Sequence, residues 1–354
     1  MTPNSFTALR LIAAVAVLVR HSLIILDDDI SPFGPVSTDD VPALGLWVFF
    51  VVSGFLLPAA WERRPQLVRF VSARVLRIFP GLVVSLLVTV AVIGLIASTL
   101  GVRSYLVHPQ TLQHLASNLV LNPDYLLPGV FAENSYANAV NGALWSLGPL
   151  FAMYLLVPVV GCIPWRRVRA AVWTALLLWC VVAPLAEAVD TDGIVWGNYV
   201  HDILRVGAFF CAGAALREWR VPLRGGAAVI SGSVLAIVMV LTPDLTWFLA
   251  HLAVPYVLVT IGAQPIPVLR SAGRFGDPSY GMFLIGFPVQ QLLIHLNPEL
   301  DWIPSILCTL VISVAYGYAL WWFVDRPIAG LRVRPGRPAR TDRVEPRGAA
   351  LRVH

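Results

Sequence analysis

The chemistry available to this chain starts with Arg10 and His21, two ionisable residues inside one apolar run spanning 6–26. In a helix their separation is almost three turns, so both fall on one face, about 16 Å apart along the axis. Ionisable groups within a membrane-length segment are costly and mark functional sites by default. A guanidinium near the start of the run and an imidazole deeper in suit a ligand that enters with an anionic end and carries a reactive end inward. Snorkelling for Arg10 and a hydrogen-bonded packing role for His21 account for the same residues, and spacing alone does not separate the two readings. Farther on, Arg69, Arg74 and Arg77 precede Pro80 and can present guanidinium groups to phosphates at a membrane surface. Arg63 and Arg64 read instead as topological charges.

These residues must be positioned by membrane helices. The 354 residues are 58% hydrophobic and 13% charged, with a mean hydropathy of +0.76. Water-soluble domains carry about 25% charged residues, so a soluble globule is excluded. Ten spans are expected, at 6–26, 41–60, 80–100, 143–163, 170–189, 203–216, 225–242, 246–261, 279–296 and 303–324, giving an all-α polytopic domain over 1–331. Residues 332–354 form an Arg- and Pro-rich tail read as disordered. The first run holds Arg10, Arg20 and His21 with no cleavage site after it, so it reads as a retained span rather than a signal.

All 25 basic residues are arginine. With the N-terminus in the cytoplasm, the segments 61–79, 164–169, 217–224 and 262–278 and the tail from 325 are inside. They hold 21 of the 25 arginines, which places both termini in the cytoplasm. The basic clusters lie between apolar runs rather than on one soluble face, so a nucleic-acid partner is not expected. The long outside connection, 101–142, carries enough apolar residues to fold back in part onto the membrane face. Cys162, Cys180, Cys211 and Cys308 show no paired spacing, which argues against a disulfide framework or a metal site. His21, His251 and His295 lack close ligand spacing and are not read as a metal triad. His251, Gln290, Gln291 and His295 are polar within apolar runs and are weaker candidates, and for a lone His such as His251 or His295 the structural reading is preferred.

The motifs converge when taken in order. Arg10 and His21, the stretch Phe49-Phe50-Val51-Val52-Ser53-Gly54-Phe55, and Arg74 to Pro80 resemble the opening of the membrane acyltransferase 3 family. The resemblance continues through Asn141 to Leu147, Met153 to Pro158, Arg205 to Gly213, Phe275 to Leu284 and Asp325-Arg326-Pro327, so it covers 5–331 nearly throughout.

The resemblance implies an integral-membrane O-acyltransferase of the bacterial cytoplasmic membrane. Such an enzyme moves an acyl group, acetyl in the simplest case, from acyl-CoA to a hydroxyl of a sugar, glycan, glycolipid or related acceptor. It implies His21 as the essential catalytic group and Arg10 as its required partner. It links Arg69, Arg74 and Arg77 to the acyl-CoA donor, with no permanently bound cofactor. Ser53, Trp145, Tyr154 and Arg205 match family motifs and are candidates to line a substrate cavity, with packing or hydrogen bonding as the alternative role for each. His21 would act as general base or carry the acyl group as an acyl-imidazole. Two positions depart from the pattern. Gly148 to Phe151 stands where relatives carry a Glu, leaving no fourth-span carboxylate for His21 or an incoming hydroxyl, and Gly286 stands where many carry a His. A transporter or flippase of a lipid-linked sugar, or a catalytically degenerate relative, is the alternative on the same residues.

Overall fold

The computed structural model describes residues 5–26 and 40–332. The tail assigned to 332–354 and the acidic first loop therefore lie almost wholly outside the described residues. Among those described, the chain is helical apart from one two-stranded hairpin. Helix α1 (Phe6–Leu26) and α2 (Asp40–Arg63) come first. Helix α3 (Leu67–Val88) runs on through a π turn, Thr89–Gly94, to Ala97. Two short helices follow, α4 (Val102–Leu106) and α5 (Pro109–Leu119). A 3-10 turn at Leu144–Ser146 leads into α6 (Leu147–Gly161), and α7 (Arg166–Leu185) succeeds it. The hairpin β1 (Ile194–Val195) and β2 (Asn198–Tyr199) feeds α8 (Val200–Glu218). Helices α9 (Gly225–Leu241), α10 (Pro243–Ala263), α11 (Pro267–Ser271), α12 (Ser279–Leu296) and α13 (Trp302–Leu320) complete the bundle, and a π turn at Trp321–Asp325 ends it in α14 (Arg326–Arg332).

Every expected span coincides with a helix, and seven helices are long and apolar enough to cross a membrane. The remaining three segments are α8, which carries four charged residues, α9, which has 17, and α12, diluted by Gln290, Gln291 and His295. The chain is a multi-pass membrane protein. One expectation is corrected. The basic stretch assigned to a loop at 61–79 is helical from Leu67, and Pro80 sits inside α3 instead of starting it. Apolar residues interleave the arginines there, and a helix can bury the one set while turning the other to polar surroundings.

The tightest crossing joins α2 to α8. A methyl group on Gly54 would strike the Phe210 carbonyl oxygen, and one on Gly213 would strike that of Val51. Small residues allow backbones this close where lipid offers no hydrophobic drive for association. At the Arg-rich end Arg169, itself buried, bonds both Glu218 carboxylate oxygens at 3.2 Å and Glu62 at 2.5 Å, tying α2, α7 and α8 together. Gln290 is fully buried and accepts from Ser22 at 2.8 Å and Thr309 at 2.5 Å while donating to Ser305 at 2.6 Å. Gln291 donates to the Tyr136 and Ala139 carbonyls, both at 2.7 Å, and accepts from Asn134 at 2.7 Å. Each glutamine is thus spent on helix or loop contacts.

Residues 101–142 fold back in part onto the end of the bundle. They form α4, α5 and a coil whose Tyr105, Leu127, Val130, Phe131 and Val140 bury against Val90, Ile93, Ile285 and Val289. Within this cap His114 is fully buried, and neither ring nitrogen meets a hydrogen-bond partner. Burial depresses its pKa, against the opposing pull of Asp124 and of the Leu126 backbone. The unfolded chain therefore binds a proton that the folded cap resists, and stability falls as pH drops below about 6.5. Amide exchange across 105–140 is expected to quicken between neutral pH and pH 5, and His114→Gln to flatten that response.

Candidate functional site

Two cavities lie along α1. The inner one, about 210 Å³, is walled by Arg10, Arg74 and Arg77 together with Ser53, Tyr154 and Tyr280. The outer one, about 420 Å³, contains His21, Arg20, Trp145 and Arg205. Leu46, Ser146 and Phe283 line both, so the two cavities meet at these side chains. Arg10 and His21 share α1 as their spacing requires, one in each cavity.

The arginines of the inner cavity are not equivalent. Arg77 pairs with Asp277 at 3.4 Å and Asp325 at 3.3 Å. Arg10 pairs with the same Asp277 oxygen at 3.0 Å. Arg74 has no carboxylate partner among the described residues. Its guanidinium lies 5.5 Å from the Phe70 ring centre and 5.9 Å from that of Tyr154, and its Nε is buried without a hydrogen-bond partner. Arg74 and Arg77, three apart on α3, share a face. Arg69 falls on the far side of the helix, is exposed, and lines neither cavity.

Asp277 comes from the loop before α12, where burial raises its pKa but Arg10, Arg77 and the Ser279 hydrogen bonds lower it further. Ser279 donates to it from Oγ at 2.5 Å and from its amide at 3.3 Å. Tyr280 next to it donates to the Ile78 carbonyl at 2.8 Å and lays its ring beneath Arg77. The motif Phe275 to Leu284 thus locks α12 to α1 and α3 beside the arginines. Ser53 and Tyr154 lie within hydrogen-bond distance, 3.4 Å, across this cavity.

In the outer cavity the His21 ring meets the Phe287 ring edge to face at 5.2 Å. Phe287 leaves no room for a side chain at Gly142, where a Cβ would fall 2.7 Å from its ring. Asn141 fixes the Asn141 to Leu147 turn by donating to the Leu284 carbonyl at 2.8 Å and accepting from the Ala143 amide at 3.1 Å. That turn sets Trp145 in the outer cavity and Ser146 at the junction. Arg205 lies against Trp47 and Trp247, at 5.6 and 5.3 Å from their ring centres. His251 stacks on Phe209 at 4.7 Å, donates to the Trp247 carbonyl through Nδ1 at 2.7 Å, and lines neither cavity. Gly286 faces Leu18 of α1, where a Cβ would sit 3.3 Å from Leu18 Cδ1.

The sequence offered no fourth-span carboxylate, but the outer cavity has one. Asp202, from the first turn of α8, lines it along with Asn198, Tyr199 and Tyr125. Burial pushes the Tyr125 phenol up to about 12, and the Asp202 charge adds to the shift. Neither Asn198 nor Asp202 was singled out in the sequence. The available signal was Trp196-Gly197 between short β-branched and aromatic runs, which marks a two-residue hairpin turn. Asp277 lay within a quoted motif without being assigned a role. Among the described residues no cluster of potential metal ligands occurs, and all four cysteines are free.

Comparison with known proteins shows the family. The chain is similar to a protein named O-acetyl transferase from Shigella phage Sf6, at 25% identity over 336 residues, covering 91% of this chain and 95% of that one. It is similar to nodulation protein 10 of Rhizobium leguminosarum bv. viciae, at 26% identity over 374 residues, covering 93% and 94%. No solved structure matches it. The family model described as an acyltransferase domain matches residues 4–322, nearly the whole helical bundle. The chain therefore belongs to this acyltransferase family and is an acyltransferase enzyme.

Proposed function

We propose that the protein transfers an acyl group, acetyl in the simplest case, from acyl-CoA in the inner cavity to a hydroxyl in the outer one. The observation that carries this reading is the meeting of an arginine-walled cavity and a histidine-bearing cavity at Leu46, Ser146 and Phe283. The positive-inside pattern sets the arginine side toward the cytoplasm, where a charged CoA ester is found. The inner cavity suits the acyl-thioester end of the donor, with its anionic part held by Arg74 and Arg10.

The acceptor hydroxyl gives its proton to a His21 ring nitrogen as its oxygen attacks the thioester carbonyl. The new C–O bond forms, the C–S bond breaks, and the CoA thiolate departs and recovers the proton from His21. Arg77, already paired twice, holds Asp277 and the helix junction. The acceptor is a sugar, glycan or glycolipid hydroxyl, in keeping with the aromatic and polar walls of the outer cavity.

The test is incorporation of label from radioactive acetyl-CoA by membranes containing the chain. The expected result is CoA-dependent transfer into the lipid and glycan fraction, removed by excess unlabelled CoA. Equal incorporation by membranes lacking the chain would sink the donor assignment.

A further inference from the structure

One wall of the outer cavity is built by an element that the acyl-transfer step does not use. Ile194 and Val195 pair antiparallel with Tyr199 and Asn198 across a two-residue turn, Trp196-Gly197. Both turn residues have positive φ, 51° and 69°, the backbone sign of a type I′ hairpin. A side chain at Gly197 would collide with Asn122, which accounts for glycine there. The Trp196 indole N–H donates to the Val120 carbonyl at 3.0 Å and anchors the turn to the end of α5. Helix α8 starts directly after the hairpin, so Asn198, Tyr199 and Asp202 arrive together at the cavity wall.

Asn198 is only 4% exposed. Its amide Nδ2 donates to the Trp196 carbonyl at 2.8 Å, while its Oδ1 is buried without a hydrogen-bond partner among the described residues. Such an oxygen loses the solvation it would have in water and regains it only from a donor entering the cavity. Asp202 is the single carboxylate lining this cavity among the described residues. The exposed His201 ring contacts it at 3.5 Å, and no ion pair with an arginine holds it among the described residues. A carboxylate and an amide oxygen only accept hydrogen bonds, so the pair selects hydroxyl donors. Tyr125, Tyr199 and Trp145 supply flat apolar faces beside them.

Resting on the acyltransferase reading above, we infer that Asn198 and Asp202 form an acceptor subsite for a polyhydroxylated molecule. Each accepts a hydrogen bond from a hydroxyl other than the one acylated at His21. Arg20 and Arg205 line the same cavity.

The test compares two acceptor probes of similar chain length, octyl glucoside and octanol, with radiolabelled acetyl-CoA and the purified full chain. CoA binding is followed separately by calorimetry. The unaltered enzyme is expected to favour octyl glucoside in kcat/KM. Asp202→Ala and Asn198→Ala should each lower that preference by roughly 10- to 100-fold, because a site built to bond a hydroxyl discriminates strongly on it. The loss should fall on the glucoside value alone, with Asp202→Asn intermediate and CoA affinity unchanged.

Variants that keep the preference, or that lose both probes equally, would overturn the subsite. So would an unaltered enzyme that binds CoA and does not favour the glucoside. An unaltered enzyme that fails to bind CoA would instead overturn the donor reading on which the subsite rests.

Discussion

Replacing His21 with alanine is expected to abolish acyl transfer at every concentration of acyl-CoA. The loss should be on the order of 10²–10⁴-fold in kcat, the range that a positioned acid–base group supplies. CoA affinity should stay within about twofold of the unaltered enzyme, since a group acting only in the transition state lowers kcat without weakening ground-state binding. The geometry makes the separation clean, because His21 lines the outer cavity and touches none of the inner arginines. Single-turnover kinetics with labelled acetyl-CoA measures both quantities. A variant that recovers at saturating donor would move His21 from chemistry to donor binding.

Arg74 and Arg77, alike by sequence motif, are expected to fail in opposite ways. Arg74→Ala removes the one inner-cavity guanidinium with no carboxylate partner among the described residues. If it bonds donor phosphate, the lost charge-assisted contact is worth roughly 1.5–3 kcal/mol. The donor KM should rise by about one to two decades, at roughly 1.4 kcal/mol per decade. Activity should return as donor approaches saturation, and thermal stability should hold. Arg77→Ala instead removes a guanidinium from Asp325 and leaves Arg10 as the one guanidinium on Asp277 among the described residues. Breaking a buried pair from one side is destabilising by roughly 3–5 kcal/mol, and the lower end applies because Arg10 remains. The melting temperature in detergent should therefore drop, and excess donor should not restore it. A stable Arg77→Ala enzyme with a raised donor KM would exchange the two assignments.

The helices were legible in the sequence because membrane spans are written in long apolar runs: a helix falls at each of the ten expected segments, and seven are long and apolar enough to cross a membrane. The start of α3 was missed because its arginines break the apolar run that signals a helix, and Pro80 looks like an N-terminal residue when it is an interior one. The pairing of Arg10 with His21 on α1 followed from helical period alone. What period cannot show is which charges are already answered. Asp277 lies 200 residues from Arg77, so its claim on that guanidinium appears only in the fold. Asn198 and Asp202 escaped notice for a related reason. Asn198 sits in a two-residue strand and Asp202 in the first turn of α8, outside any motif, and only the fold brings them to the cavity that His21 lines.

The crossing of α2 and α8 at Gly54 and Gly213 has a mechanical consequence. Helix α2 contributes Leu46 and Trp47 to the outer cavity and Phe49, Phe50, Ser53 and Leu57 to the inner one, while α8 contributes Asp202 and Arg205 to the outer. Backbones in direct contact, with no intervening side chains to repack, cannot slide past one another by rotamer changes. These two helices therefore act as a stiff spine. The give needed to admit and release substrates falls to seams padded by side chains rather than to this crossing.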